Sequence, residues 1–136
     1  MNRHLIFFFY LVFFSSSLFA NGIFLYEGRG SWETGTENLH QFFQAQKIAL
    51  QKKDHRDLIA GDLAKDDPDL LIMPGGESWV YLEDLGEEGA TQIRDFVFSG
   101  GSYLGICAGA FYATSHREGG AATGPYGIGL LEGTAV

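Results

Sequence analysis

Apolar and polar positions fall into short blocks along this chain. Ile23–Tyr26 and Leu70–Met73 are unbroken apolar runs, and Tyr103–Ile106 is a third run interrupted only by Gly105. Runs of four such residues predict strands buried on both faces, as in a parallel sheet. Ile48–Leu50 is a weaker run and predicts a further, shorter strand. Between these runs the period changes. Leu39, Phe42 and Phe43 recur at helical spacing, and Thr34 with Glu37 fits a capping box, so a helix is expected from about Thr36 to Gln46. Ile93, Phe96 and Val97 share one helical face between Gly89 and Ser99, and Gly100-Gly101 closes that helix as a glycine C-cap. Glu83, Asp84, Glu87 and Glu88 are expected to precede it as a solvated face that complements its dipole. Ala108–Ser115 reads as a last helix. The charged stretch 52–69, broken by Gly61 and Pro68, predicts an irregular connection with at most a short helix. The tail from Gly119 to Val136 holds six glycines and carries no periodic signal. Strands alternating with helices predict βαβ units and an α/β fold with a mainly parallel sheet.

The first twenty residues stand outside this pattern. Arg3 and His4 form a short basic start, Leu5–Phe14 is an unbroken apolar run, and Ser15–Ser17 lead to small Ala20. That arrangement predicts a signal peptide over residues 1–20, a folded domain over 21–136, and a periplasmic or secreted destination. The apolar run is shorter than the roughly twenty residues a bilayer span requires, so an uncleaved anchor is the lesser alternative. Losing residues 1–20 removes one base and no acid, which moves the net charge from −8 to −9. So acidic a domain repels phosphate, and nucleic acid is not an expected partner. A small-molecule or peptide amide substrate stays compatible with that charge. One cysteine, Cys107, excludes an intramolecular disulfide, and no Cys/His spacing suits a metal site, so no cofactor or metal is expected.

Cys107 lies in Gly105-Ile106-Cys107-Ala108-Gly109, where a predicted strand runs straight into a predicted helix. Glycines two places away on each side are what a nucleophile elbow needs, because a sharp turn lifts the reactive atom above the sheet edge and bulky neighbours would collide. Free N–H groups at the helix start also favour an anionic sulfur. Acyl transfer further needs donors for a developing oxyanion. The N–H of Ala108 is one candidate, and Gly75 or Gly76, after the strand Leu70–Met73, would supply the second. The plain alternative is a buried cysteine packed as a small hydrophobe.

Other residues are weighed in the same way. Glu27 ends the first strand, near the crevice that strand carboxyl ends surround, where it would either partner the thiol or remain a solvated loop acid. Gly28-Arg29-Gly30 lacks the third glycine of a dinucleotide loop, since position 33 is Glu. His40 and His55 read as surface residues. Trp32 and Trp79 follow the two crevice loops and read as half-buried packing or as pocket walls.

Leu71–Ser78 (LIMPGGES) and Gly101–Ala113 (GSYLGICAGAFYA) resemble the biotin–protein ligase N-terminal domain family, within the class I glutamine amidotransferase-like superfamily. Phe24–Ser31 and Gly129–Thr134 are similar as well. The resemblance implies a flavodoxin-like three-layer sandwich, Cys107 at the elbow, and an oxyanion hole from the backbone near Gly76 and Ala108. It also implies a His and an acidic residue from a strand after the elbow. Only 29 residues follow Cys107, and their one histidine, His116, is expected on the elbow helix and directed away from the thiol. The sequence therefore reads as the N-terminal portion of such a domain, with the base elsewhere. Three functions stay open: thioester-based acyl transfer or hydrolysis, a non-catalytic ligand- or partner-binding module, and a thiol redox sensor.

Overall fold

The four apolar runs become four parallel strands. In the computed structural model, which describes residues 21–118 and 124–136, β1 (Ile23–Tyr26), β2 (Leu50–Lys53), β3 (Leu70–Met73) and β4 (Ser102–Gly105) form one sheet in the order β2-β1-β3-β4. Ile23 pairs with Leu50 on one side and Leu70 on the other, and Leu70 pairs with Ser102. All of β1 is buried, which explains why its sequence does not alternate. Side chains leave the sheet alternately. Phe24, Tyr26, Leu71 and Met73 face a core completed by α2 (His55–Ile59), α3 (Asp62–Asp66), α4 (Ser78–Phe98) and α5 (Ala108–Ala113). Ile23, Leu25 and Ile72 face the opposite way, onto Phe43 and Leu39 of α1 (Glu33–Ala45). Helices on both faces of a parallel sheet make the three-layer, flavodoxin-like α/β sandwich that was expected.

Several local expectations are corrected. Helix α1 begins at Glu33 with Trp32 as N-cap, so Thr34 lies inside the first turn and the Thr34–Glu37 capping box does not form. A tertiary bond sets that start, because the Trp32 N–H donates to Gly75 O at 2.9 Å. The second strand runs Leu50–Lys53 rather than Ile48–Leu50; it is an edge strand, and Lys53 lies 4.4 Å from the Phe24 ring centre while pairing with Asp62 and Asp66. The stretch read as irregular holds α2 and α3. Asp54 caps α2 through a reciprocal box with Asp57, a signal hidden in the charged run. Helix α4 spans Ser78–Phe98 with a break at Gly86, so the four acids lie within it rather than before it. Helix α5 stops at Ala113, and β5 (Thr114–Arg117) follows. His116 therefore sits on a strand, not on the helix. The glycine-rich tail supplies β6 (Gly124–Pro125) and β7 (Leu131–Ala135), which join β5 in a small mixed sheet.

Candidate active site

Parallel pairing brings the carboxyl ends of β1, β3 and β4 to one edge, and the site is built from the turns that leave them. Cys107 fills the single residue between β4-Ile106 and α5, with φ 50° and ψ −109°. Its side chain is exposed. The flanking glycines are required by close approach. A Cβ on Gly105 would lie 2.7 Å from Ala110 N, and one on Gly109 would lie 2.0 Å from Met73 O. The Gly109 N–H is held by Pro74 O and Ile106 O, both at 3.0 Å, which ties this turn to the end of β3.

The β3 turn lies against Cys107. A Cβ placed on Gly75 would meet the Cys107 Cβ at 3.5 Å. Gly76 has φ 144°, a conformation that L side chains rarely adopt, and a Cβ there would strike Gly30 O at 1.9 Å. The first loop approaches from the other side through an isolated antiparallel bridge between Ser31 and Gly76. Its bonds run from Trp32 N to Gly75 O and from Glu77 N to Gly30 O, each 2.9 Å. The N–H groups of Gly76 and Ala108 have no acceptor among the described residues. Two free donors thus flank the turn that carries an exposed thiol.

Beneath this backbone lie three tyrosines whose role the sequence did not suggest. Tyr26, Tyr81 and Tyr112 are fully buried, with ring centres 5.2 Å apart for the first pair and 6.0 Å for the second, both edge-on. The Tyr81 hydroxyl sits 3.1 Å from Gly75 O and 3.2 Å from Pro74 O. Burial raises the pKa of all three, so each remains a neutral phenol at physiological pH. Their one sequence signal is aromatic residues at core positions of a strand and two helices.

Glu27 is not a partner of the thiol. Its carboxylate is bound by His40 Nε2 and by Lys52 Nζ, the latter at 2.8 Å, on the α1 side of the sheet. Burial works to raise its pKa, but the bonds from Lys52 and His40 outweigh that and leave it lowered. Arg29 ties the first loop to α4 by reaching Asp84 at 3.1 Å and Glu83 at 2.7 Å, and it holds the Asp84 carboxyl below the usual range. His55 opens α2, and His116 Nδ1 lies 3.1 Å from Ser115 Oγ. Among the described residues no histidine hydrogen-bonds Cys107, and no three His, Cys, Asp or Glu groups gather as a metal site. Trp32 and Trp79 are 61% and 55% exposed, more open than half-buried packing would leave them.

The sequence pattern of the family described as biotin-protein ligase, N terminal, matches residues 22–121. The chain belongs to that family. Membership places it in the class I glutamine amidotransferase-like superfamily, and its other relatives fit. It is 44% identical over 46 residues to a biotin–protein ligase of Schizosaccharomyces pombe, covering 34% of this chain and 7% of the relative. It is 37% identical over 75 residues to the pyridoxal 5'-phosphate synthase subunit PdxT of Methanocorpusculum labreanum, covering 53% and 36%. A solved structure from Listeria monocytogenes, titled as a peptidase E protein, aligns with a TM-score of 0.59 at 18% identity, over 70% of this chain and 50% of that one. That likeness shows the shared fold. The chain thus spans about a third or less of the curated relatives' lengths and half of the solved structure.

Proposed function

We propose that this is an exported amidotransferase-like domain in which Cys107 is the nucleophile of acyl transfer at an amide or ester carbonyl. The observation that carries the reading is the exposed Cys107 thiol in a positive-φ strand-to-helix turn, flanked by two unpaired backbone N–H groups. This is the geometry of a nucleophile elbow with an oxyanion hole. In the reaction the thiolate attacks the carbonyl carbon and a C–S bond forms. The oxygen takes up negative charge and accepts hydrogen bonds from Gly76 and Ala108. Collapse breaks the bond to the leaving group, and water later cleaves the thioester. An amine leaving group needs a proton, whereas an activated phenolate does not. The names of the PdxT and peptidase E relatives accord with amide chemistry.

The test is incubation with p-nitrophenyl acetate followed by peptide mass spectrometry. One acetyl group on Cys107, absent after denaturation and in Cys107→Ala, is the expected result. No adduct would sink the reading. Export rests on residues 1–20, and protein recovered outside the cytoplasm should begin near Asn21. Among the described residues no helix is long and apolar enough to cross a membrane.

A second reading, a non-catalytic binding module of the same fold, draws on one observation. His40 is committed to Glu27, and His116 hydrogen-bonds its neighbour Ser115. A thiol with no base beside it accords with a vestigial site.

A further inference from the structure

The Gly75–Gly76 peptide is trans, so its carbonyl oxygen and its N–H leave opposite edges of one plane. Adjacent glycines give this peptide the least intrinsic preference of any in the chain, and its orientation depends on what holds it. Two donors hold the carbonyl: Trp32 N–H at 2.9 Å and the Tyr81 hydroxyl at 3.1 Å. The first of these comes from the loop after β1. Strand β3 lies between β1 and β4, so a carbonyl aimed at the β1 loop leaves the N–H of Gly76 aimed toward the β4 turn, where Cys107 sits. Tyr81 is completely buried and fixed edge-on between the Tyr26 and Tyr112 rings, so its hydroxyl has no route to water.

We propose that Tyr81 is a positioning residue that locks the Gly75–Gly76 peptide with its N–H turned toward Cys107, presetting one half of the oxyanion hole. The inference rests on the acyl-transfer reading of Cys107 and adds the residue that orients its donor. Tyr81 touches no substrate. It acts through a backbone carbonyl one peptide away.

Two reagents separate this role from a structural one. p-Nitrophenyl acetate transfers its acetyl group to the thiolate: the C–S bond forms, the ester C–O bond breaks, and p-nitrophenolate departs with the electron pair. That step passes through an oxyanion. Iodoacetamide alkylates the same sulfur by displacing iodide and forms none. With the full chain, Tyr81→Phe keeps the ring and deletes the hydroxyl. Acetylation should slow by about tenfold or more, while alkylation stays within about twofold of the parent. Equal acetylation rates, or a parallel fall in both reactions, would overturn the proposal and leave the nucleophile reading standing. A parent protein that acetylates no faster than Cys107→Ala would defeat both. Trp32 has φ −77°, close to what proline requires, so Trp32→Pro removes the other donor to the same carbonyl. Compared with Trp32→Ala, it should show the same selective loss of acetylation. That comparison decides the matter if Tyr81→Phe does not fold, and equal rates in the two Trp32 variants would count against the lock.

Discussion

Cys107 holds φ 50° and ψ −109°, a conformation that costs a residue bearing a Cβ on the order of 1–3 kcal/mol. Neighbouring contacts impose it, because the Gly109 N–H is anchored to Pro74 O and Ile106 O. Glycine at 107 would remove the strain but add about 0.5–1 kcal/mol of chain entropy to the unfolded state. Strain is the larger effect. Cys107→Gly is therefore expected to be more stable than Cys107→Ala by about 1 kcal/mol, read from urea midpoints at equal m-values. If alanine is the more stable of the two, the turn is not strained at this residue. The glycines around Cys107 were legible in the sequence because sterics at Ala110 N and Met73 O leave no other choice. Tyr81 was not legible. A buried tyrosine reads as core from its spacing, and only tertiary structure shows that its hydroxyl ends on two carbonyls of the neighbouring turn.

Among the elements, the strands with apolar sequences were read nearly to the residue, and the charged ones were not. Strand β2 and helices α2 and α3 form from residues that make ion pairs and caps across the fold, as Lys53 does with Asp62 and Asp54 with Asp57. Such pairings leave no periodicity. Glu27 was misassigned for the same reason, since its partners come from α1 and β2 rather than from the elbow. That carboxylate joins three elements, and its lowered pKa gives their contact a pH signature. A carboxyl with a depressed folded pKa adds stability that is fully present above its ordinary value of 4.5 and is lost as pH falls through the lowered value. Lys52 and His40 are 65% and 41% exposed on their side chains, so solvent screens the pair and the effect is about 0.5–1 kcal/mol. Glu27→Gln should lose that amount at pH 7 and converge with the parent in acid. Urea midpoints measured from pH 7 to pH 3 check this, and a constant gap across the range would exclude an ionic origin.

For the molecule as a whole, the three layers were foreseen from alternating strand and helix signals, but how far the layers cover the sheet depends on packing that no local pattern reports. Ile72 is buried against α1, while its β4 neighbour in register, Leu104, is 43% exposed, and Ile106 beyond it is 37% exposed. Among the described residues, α1 covers this face only as far as β3. Strand β4 is also an edge: Ser102 and Ile106 donate to β3 carbonyls, so the parallel pattern turns the N–H and C=O of Tyr103 outward. A groove of about 420 Å³ runs along that edge, lined by Val97, Tyr103, Leu104, Ala113, Leu130 and Leu131. No charge lies between Ser102 and Ile106 to guard it. The net charge of −8 opposes association, but screening confines that repulsion to about 8–10 Å, whereas burying one leucine gains about 1.5–3 kcal/mol. Contact through the uncovered face should win. The isolated chain is therefore expected to self-associate reversibly as its concentration rises, and Leu104→Lys should weaken that association by at least about tenfold, since 1.4 kcal/mol is a factor of ten. Sedimentation velocity over a concentration series measures both. A parent chain that stays monomeric and melts in one sharp transition would show that this face needs no cover.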